Sequence, residues 1–214
     1  MTSRVPPGRA GRMRLLRRLA AARRGLVLLD RKLRILRREQ ERLALLTSRT
    51  GEEWKSTCRA ADTWLLRVTM LGGRRAVRLA VDGRLTDVRV DWVDAMGTSY
   101  PDRFTCRPPR PDGSAPLPVT SALVPAREAY LAALRAALKH AVASEAARIV
   151  AAEAAMTGRR VRSLRDHLLP RLEEALAAVA LSLDEMERSD GARVRRAIGS
   201  GEGATRDRSN PARG

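Results

Sequence analysis

From Leu15 onward apolar residues recur at alternating steps of four and three: Leu15, Leu19, Ala22, Leu26, Leu29, Leu33 and Leu36, with Gln40 in phase before Leu43. A spacing averaging 3.5 keeps one stripe turned toward a partner helix, which is the seam of a coiled coil. Carried to about Met70, the seam predicts a helix of roughly 85 Å at about 1.5 Å per residue. The stretch TSRTGEEW raises a local objection, because Thr50 and Glu53 have the form of a capping box and Gly51 weakens a helix interior. The expectation is continuity, with an interruption near Gly51 as the alternative.

From Gly72 to Pro118 the punctuation changes to LGG, VDG, RPPRPDG and APLP, the language of turns. Within it TDVRVDWV alternates Val88, Val90 and Trp92 with polar neighbours, the period of a half-buried strand. SYPDRFTC follows a turn at Met96 and Gly97, so a short β-hairpin is predicted, while RRAVRLAV fits either an earlier strand or a further helical turn. A second helical region starts near Pro125, a residue suited to a first turn. Leu131, Leu134, Leu138, Val142, Glu145, Ile149, Ala152 and Met156 are its expected seam. After a phase shift near Gly158, Leu164, Leu168, Leu172 and Leu176 step by four before Val179, Leu183 and Met186. Successive fours are a stutter, which locally unwinds a supercoil. Pro170 sits inside it, where a helix interior loses about 3 kcal/mol to a proline. Because the seam continues on both sides, a kinked but continuous helix is expected at Pro170.

Two seams on one chain satisfy each other if the chain doubles back. The predicted fold is mainly α: a long antiparallel two-helix coiled coil formed by the N- and C-terminal arms, with a small central insert containing a short β-hairpin. The boundaries are 1–71 for the first arm, 72–122 for the insert, 123–198 for the second arm and 199–214 for a flexible tail. Both termini then lie at one tip, and the insert forms a foot at the other end.

Composition adds a charge to this outline. The chain carries 42 Lys and Arg against 24 Asp and Glu, a formal charge of +18, with three Trp, two Tyr and one Phe. Such a balance brings a negatively charged partner into consideration, whether nucleic acid, a membrane surface or an acidic protein cavity, beside the plainer reading of a solvated charged surface. Arg9, Arg12, Arg14, Arg17, Arg18, Arg23 and Arg24 crowd the first helix, and Arg193, Arg195 and Arg196 lie near the other terminus. An antiparallel hairpin gathers both groups at the tip. The absence of a nucleic-acid-binding motif leaves only nonspecific phosphate attraction for that class of partner.

Catalytic chemistry finds little footing. Cys58 and Cys106 have neither metal-ligand nor disulfide-framework spacing, which fits a reducing cytoplasm, and no segment reaches the roughly 20 apolar residues that span a bilayer. His140 and His167 lack a neighbouring nucleophile or ligand and read as ordinary helix residues. Glu173 and Glu174 project in different directions and suit a local helix start after Pro170. GSGEGAT has no lysine and is not a strand-to-helix turn, so it is not a phosphate loop. No catalytic, cofactor-binding or metal site is expected.

Three stretches carry a resemblance. RVPPGRAGRMRLLRRLAAARRGLVLLDRKLRIL, the central DAMGTSYP, and TGRRVRSLRDHLLPRLEEALAAVALSLDEMER are similar, in order, to the motifs of the D subunit of V-type and A-type rotary ATPases/ATP synthases. The chain departs from them at Gly8, Arg162, Gly191 and Ala192, and the insert matches poorly. The resemblance implies a non-catalytic central rotor shaft, transmitting torque between an ATP-hydrolysing or ATP-synthesising head and a membrane ring that moves protons or sodium ions. It implies as partners the hexameric head built of A and B subunits, the small F subunit of the central stalk and a funnel-shaped subunit on the ring. It places the chain peripherally at the cytoplasmic face, without membrane insertion and without nucleic acid. Tip contacts would fall to Arg9, Arg12, Arg14, Arg17, Arg18, Arg193, Arg195 and Arg196, and insert contacts to Trp92, Met96 and Gly97. The alternative reading is a basic coiled-coil nucleic-acid-binding or adaptor protein.

Overall fold

The structure is a computed structural model that describes residues 8–80, 83–109 and 120–207, with side chains as far as 196. In chain order it holds α1 (Arg9–Leu79), β1 (Asp87–Ala95), β2 (Thr98–Arg107), α2 (Leu123–Ser163), a π-helical turn (Leu164–Leu168) and α3 (Leu169–Asp207). The chain divides into two compact units, residues 1–30 with 159–214, and residues 31–158. In each, helices of the two arms pack antiparallel. Of the expected tail, 208–214 lie outside the described residues, and α3 runs through the part before them.

The seam predicted for α1 is the buried one. Leu15, Leu19, Leu33, Leu36 and Leu43 are buried, and the same phase continues through Thr50, Ala61 and Val68. Each fully buried leucine contributes about 2 kcal/mol. The helix does not stop at TSRTGEEW: the Thr50 hydroxyl turns back to donate to the Leu46 carbonyl at 2.9 Å instead of capping a new helix. The helix breaks later, at Gly73, whose φ of 65° and ψ of −178° suit only glycine. RRAVRLAV is thus largely helical rather than a strand. A methyl group on the neighbouring Gly72 would lie 2.6 Å from Ala76 Cβ and 2.7 Å from Thr120 Cγ2, so the chain passes there without room for a side chain.

In the first unit Leu15 and Leu19 of α1 meet Leu172 of α3, with Ala22, Leu169, Ala175, Leu176 and Val179 packed around them. Pro170 lies one residue beyond the start of α3. Before it, the Leu169 N–H reaches back five residues to the Leu164 carbonyl. The turn takes in an extra residue and widens where the proline ring must pass, so the helix continues through Pro170.

In the second unit the buried stripe of α2 is not the expected leucine seam. It consists of Ala126, Ala133, Ala136, Ala143, Ala146, Val150, Ala154 and Thr157. Leu131, Leu134, Leu138, Val142 and Ile149 flank it half-buried, and Ala152 and Met156 are exposed. Small side chains let two backbones approach closely, which brings the larger residues on either side into partial contact. An alanine removes little apolar surface itself; the stripe acts by proximity. Near the end of α1, Val68 and Ala76 pack with Ala122 and Ala126, covered by Trp64, Val77 and Leu123.

Candidate partner-contact surfaces

The hairpin is built around a two-residue turn. Met96 (φ 56°) and Gly97 (φ 74°) both take positive φ, the type I′ geometry whose twist matches paired strands. Gly97 accepts this freely, whereas Met96 bears about 1 kcal/mol of strain. The Asp94 carboxylate, through Oδ1, accepts the Gly97 N–H at 3.0 Å and closes the turn. Asp87 pairs with Arg107 and Ala95 with Thr98, and the register slips between Asp91 and Trp92, so that Asp102 is the extra residue on β2. Pro101 stands beside this bulge, a position where the missing N–H does little harm.

The alternation that predicted β1 is present, but its apolar face is largely open. Val88, Val90 and Trp92 share one face, and Trp92 is 57% exposed, as Met96 is 44%. The buried residues are on β2: Thr98, Tyr100 and Pro101. The Tyr100 hydroxyl donates to Glu39 Oε1 at 2.9 Å, and Arg42 Nη2 donates to the same oxygen at 2.6 Å. The hydrogen bond from Arg42, aided by that from Tyr100, holds the Glu39 carboxyl below the usual carboxylate range despite its partial burial. Burial, then the bond to Glu39, pushes the Tyr100 phenol up.

This clasp changes the expected position of the insert. The sequence reading makes the insert a foot at the far end of the helices; the hairpin instead folds back along them to Glu39, roughly 60 Å of helix before Leu79 at about 1.5 Å per residue. The reason is that Tyr100 and Pro101 find a buried seat there. Between hairpin and helices lies a cleft of about 360 Å³, lined by Leu43, Leu46, Phe104 and Val142, with Arg103 and Lys139 among its polar residues.

The basic residues belong to the other unit. Arg12, Arg14, Arg17 and Arg18 are exposed on the first turns of α1, and Arg193, Arg195 and Arg196 are exposed on α3. Arg9 pairs with Glu187 at 3.1 Å, Arg23 with Glu173 at 2.8 Å and Arg165 with Asp30 at 3.1 Å. These pairs run in opposite directions along the two helices and bring the beginning of α1 beside the region of α3 that precedes Arg193. Exposed pairs of this kind are worth at most about 1 kcal/mol; they record the alignment more than they enforce it. Glu173 thus serves Arg23 on the facing helix.

Sequence reasoning missed the clasp of Glu39, Arg42 and Tyr100, and it missed His140, whose ring packs over Gly51 and against Trp54. The available signals were a tyrosine next to a strand proline and a glycine in a helix interior. Among the described residues, no group of three or more His, Cys, Asp or Glu is placed to hold a metal ion. Among them too, no helix is long and apolar enough to cross a membrane. A family model described as the ATP synthase D subunit matches residues 12–198. No curated protein matches the chain.

Proposed function

The chain belongs to the ATP synthase D-subunit family, and from that premise we propose that it is the non-catalytic central rotor shaft of a V-type or A-type ATPase/ATP synthase. It passes torque between the hexameric head of A and B subunits and the membrane ring that translocates ions. The small F subunit and the funnel-shaped subunit are the partners on the insert side, with Trp92, Met96 and Gly97 as contact candidates. The bend expected at Pro170 contributes to the asymmetry such a shaft needs. ATP turnover belongs to the head, whose sites differ in affinity for the faces the shaft presents to them.

The observation that carries this reading beyond family membership is the alignment of Arg9 with Glu187. It supports a basic tip made from both arms, in which Arg9, Arg12, Arg14, Arg17 and Arg18 stand near Arg193, Arg195 and Arg196 and enter an electronegative pore. The test is copurification with the head, followed by charge reversal. Arg14→Glu, Arg17→Glu and Arg18→Glu together should weaken assembly at least about tenfold, and more than Arg107→Glu on the hairpin. Equal effects at the two places would refute the position of the tip. Tight, salt-sensitive binding to DNA or RNA, with no association with a head, would replace the whole reading.

A further inference from the structure

The stretch TSRTGEEW holds a glycine inside a helix and one of the three tryptophans, and His140 of α2 seats in it. Thr50 is 2% exposed. Its hydroxyl oxygen lies 2.9 Å from the Leu46 carbonyl, 3.2 Å from the Thr47 carbonyl and 3.3 Å from His140 Nδ1. A hydroxyl has one proton to give. With that proton on the Leu46 carbonyl, the Thr50 oxygen is left to accept, and Nδ1 of the imidazole is the donor.

The same ring stacks on the Trp54 indole, with centroids 5.4 Å apart and planes 24° from parallel. Beneath it, a methyl group on Gly51 would approach His140 Cε1 to 3.3 Å, closer than ordinary van der Waals contact. Thr50, Gly51 and Trp54 therefore form three sides of a socket for one imidazole. Lys139 Nζ reaches Glu53 Oε2 at 2.8 Å beside it.

Part of the remaining interface tolerates a shift of one heptad. Ala126 and Ala133 are one heptad apart in the buried stripe of α2, as are Ala136 and Ala143. Sliding α2 by seven residues, about 10.5 Å, lays alanine where alanine was at these positions, and Leu36 and Leu43 are one heptad apart on α1. Several places resist the slide: the buried Ala146 would give way to Lys139 or Glu153, and the close passage of Gly72 beside Thr120 would be lost. Lys32 and Glu153 pair at 2.7 Å, and a slide would set Lys32 against Ala146 or Arg160; long flexible side chains can swing to soften that mismatch. The ring cannot. Its socket would face Ala133 or Ala147, and His140 would meet Leu43 and Ala44, or Thr57 and Cys58, where a side chain fills the space Gly51 leaves open.

We infer that the Thr50–Gly51–Trp54 socket sets the register between α1 and α2, with His140 as its positioning residue. A single position that favours one alignment over its neighbours is an established device of coiled coils, and here the fit of a ring into its socket supplies it. Here it also explains why glycine stands in the middle of a long helix.

The test places spin labels on the full chain at Arg38→Cys and Arg135→Cys, with Cys58→Ser and Cys106→Ser. The parent should give one interhelix distance. His140→Ala should add a second population displaced by up to about 10 Å, whereas Leu36→Ala, a core cavity of no register content, should lower the melting temperature and keep one distance. His140→Phe retains a stacked ring and should also keep one distance; if it slides as far as His140→Ala, the fit of the socket does not set register and the inference fails. It fails equally if His140→Ala keeps the single parental distance. Should His140→Ala not fold, Gly51→Leu fills the socket from the other helix, and an unchanged distance there overturns the inference as well.

Discussion

Tyr100→Phe is the most informative single substitution in the hairpin. It removes one oxygen and leaves the buried ring in place. The lost bond runs to Glu39 Oε1 at 2.9 Å, and its acceptor is ionised. Bonds to charged groups contribute about 1.5–3 kcal/mol. Glu39 retains Arg42 at 2.6 Å, and its side chain is 21% exposed, so water can replace part of what is lost. The expected cost is therefore about 1.5 kcal/mol, at the low end of that range. It falls on opening of the hairpin rather than on separation of the helices, because Tyr100 is the hairpin's polar attachment to α1. Native-state amide exchange should show protected amides of β1 and β2 exchanging on the order of tenfold faster, with those of the buried α1 seam unchanged.

The pH dependence follows from Glu39. Its folded pKa is depressed, so the stabilisation is present above the ordinary carboxylate value of about 4.5 and is lost as pH falls through the lower folded value. The raised phenol pKa acts at the opposite limit, with stability present below about pH 10 and lost above it. The difference between wild type and Tyr100→Phe should thus be level near neutrality and shrink in acid. Unchanged hairpin exchange, or a uniform acceleration through every helix, would refute the clasp as the hairpin's attachment.

Two further substitutions probe the packing of residues 31–158. Lys32→Ala leaves Glu153, with 17% of its side chain exposed, beside the Thr157 hydroxyl at 3.4 Å; urea unfolding should show a loss of about 2 kcal/mol, less than for a fully buried pair, and Lys32→Met with Glu153→Leu should recover most of it. Gly72→Ala forces a methyl against Ala76 and Thr120 and should lower stability by about 2 kcal/mol. Gly73→Ala should cost a similar amount through its backbone conformation alone, and thermal unfolding of the two single variants checks both.

Legibility in the sequence varied with the range of the interaction. The α1 seam was plain because leucine marks it, and one face of a long helix needs only local period to be recognised. The hairpin was plain because Met96-Gly97 falls between two alternating runs, and turn chemistry is equally local. In α2 two apolar stripes lie side by side, and hydrophobicity favours the leucines; what decides burial is how closely the partner backbone approaches, a property of both helices that makes alanine the inner residue. At Pro170 the continuing seam indicated a continuous helix, whereas the π turn is a backbone response with no side-chain signature of its own. The seat of the hairpin was hidden because Tyr100 and Glu39 meet across a separation of 61 residues with no repeating pattern to connect them. His140 looked ordinary for the same reason: its meaning lies in Gly51 and Trp54 on another element.

The break at Gly73 alters the load path through the end of α1. Within an unbroken helix, twist passes along the ladder of backbone hydrogen bonds; at a residue with φ 65° and ψ −178° that ladder is cut. Any twist applied to Arg74–Leu79 reaches the preceding turns across a splice, through the covalent backbone and the contacts of Ala76 with Val68, Ala122 and Ala126. The compliance of this short segment is then set by four small apolar side chains and the close passage at Gly72, which makes side-chain packing, rather than helix propensity, the stiffness-determining quantity there.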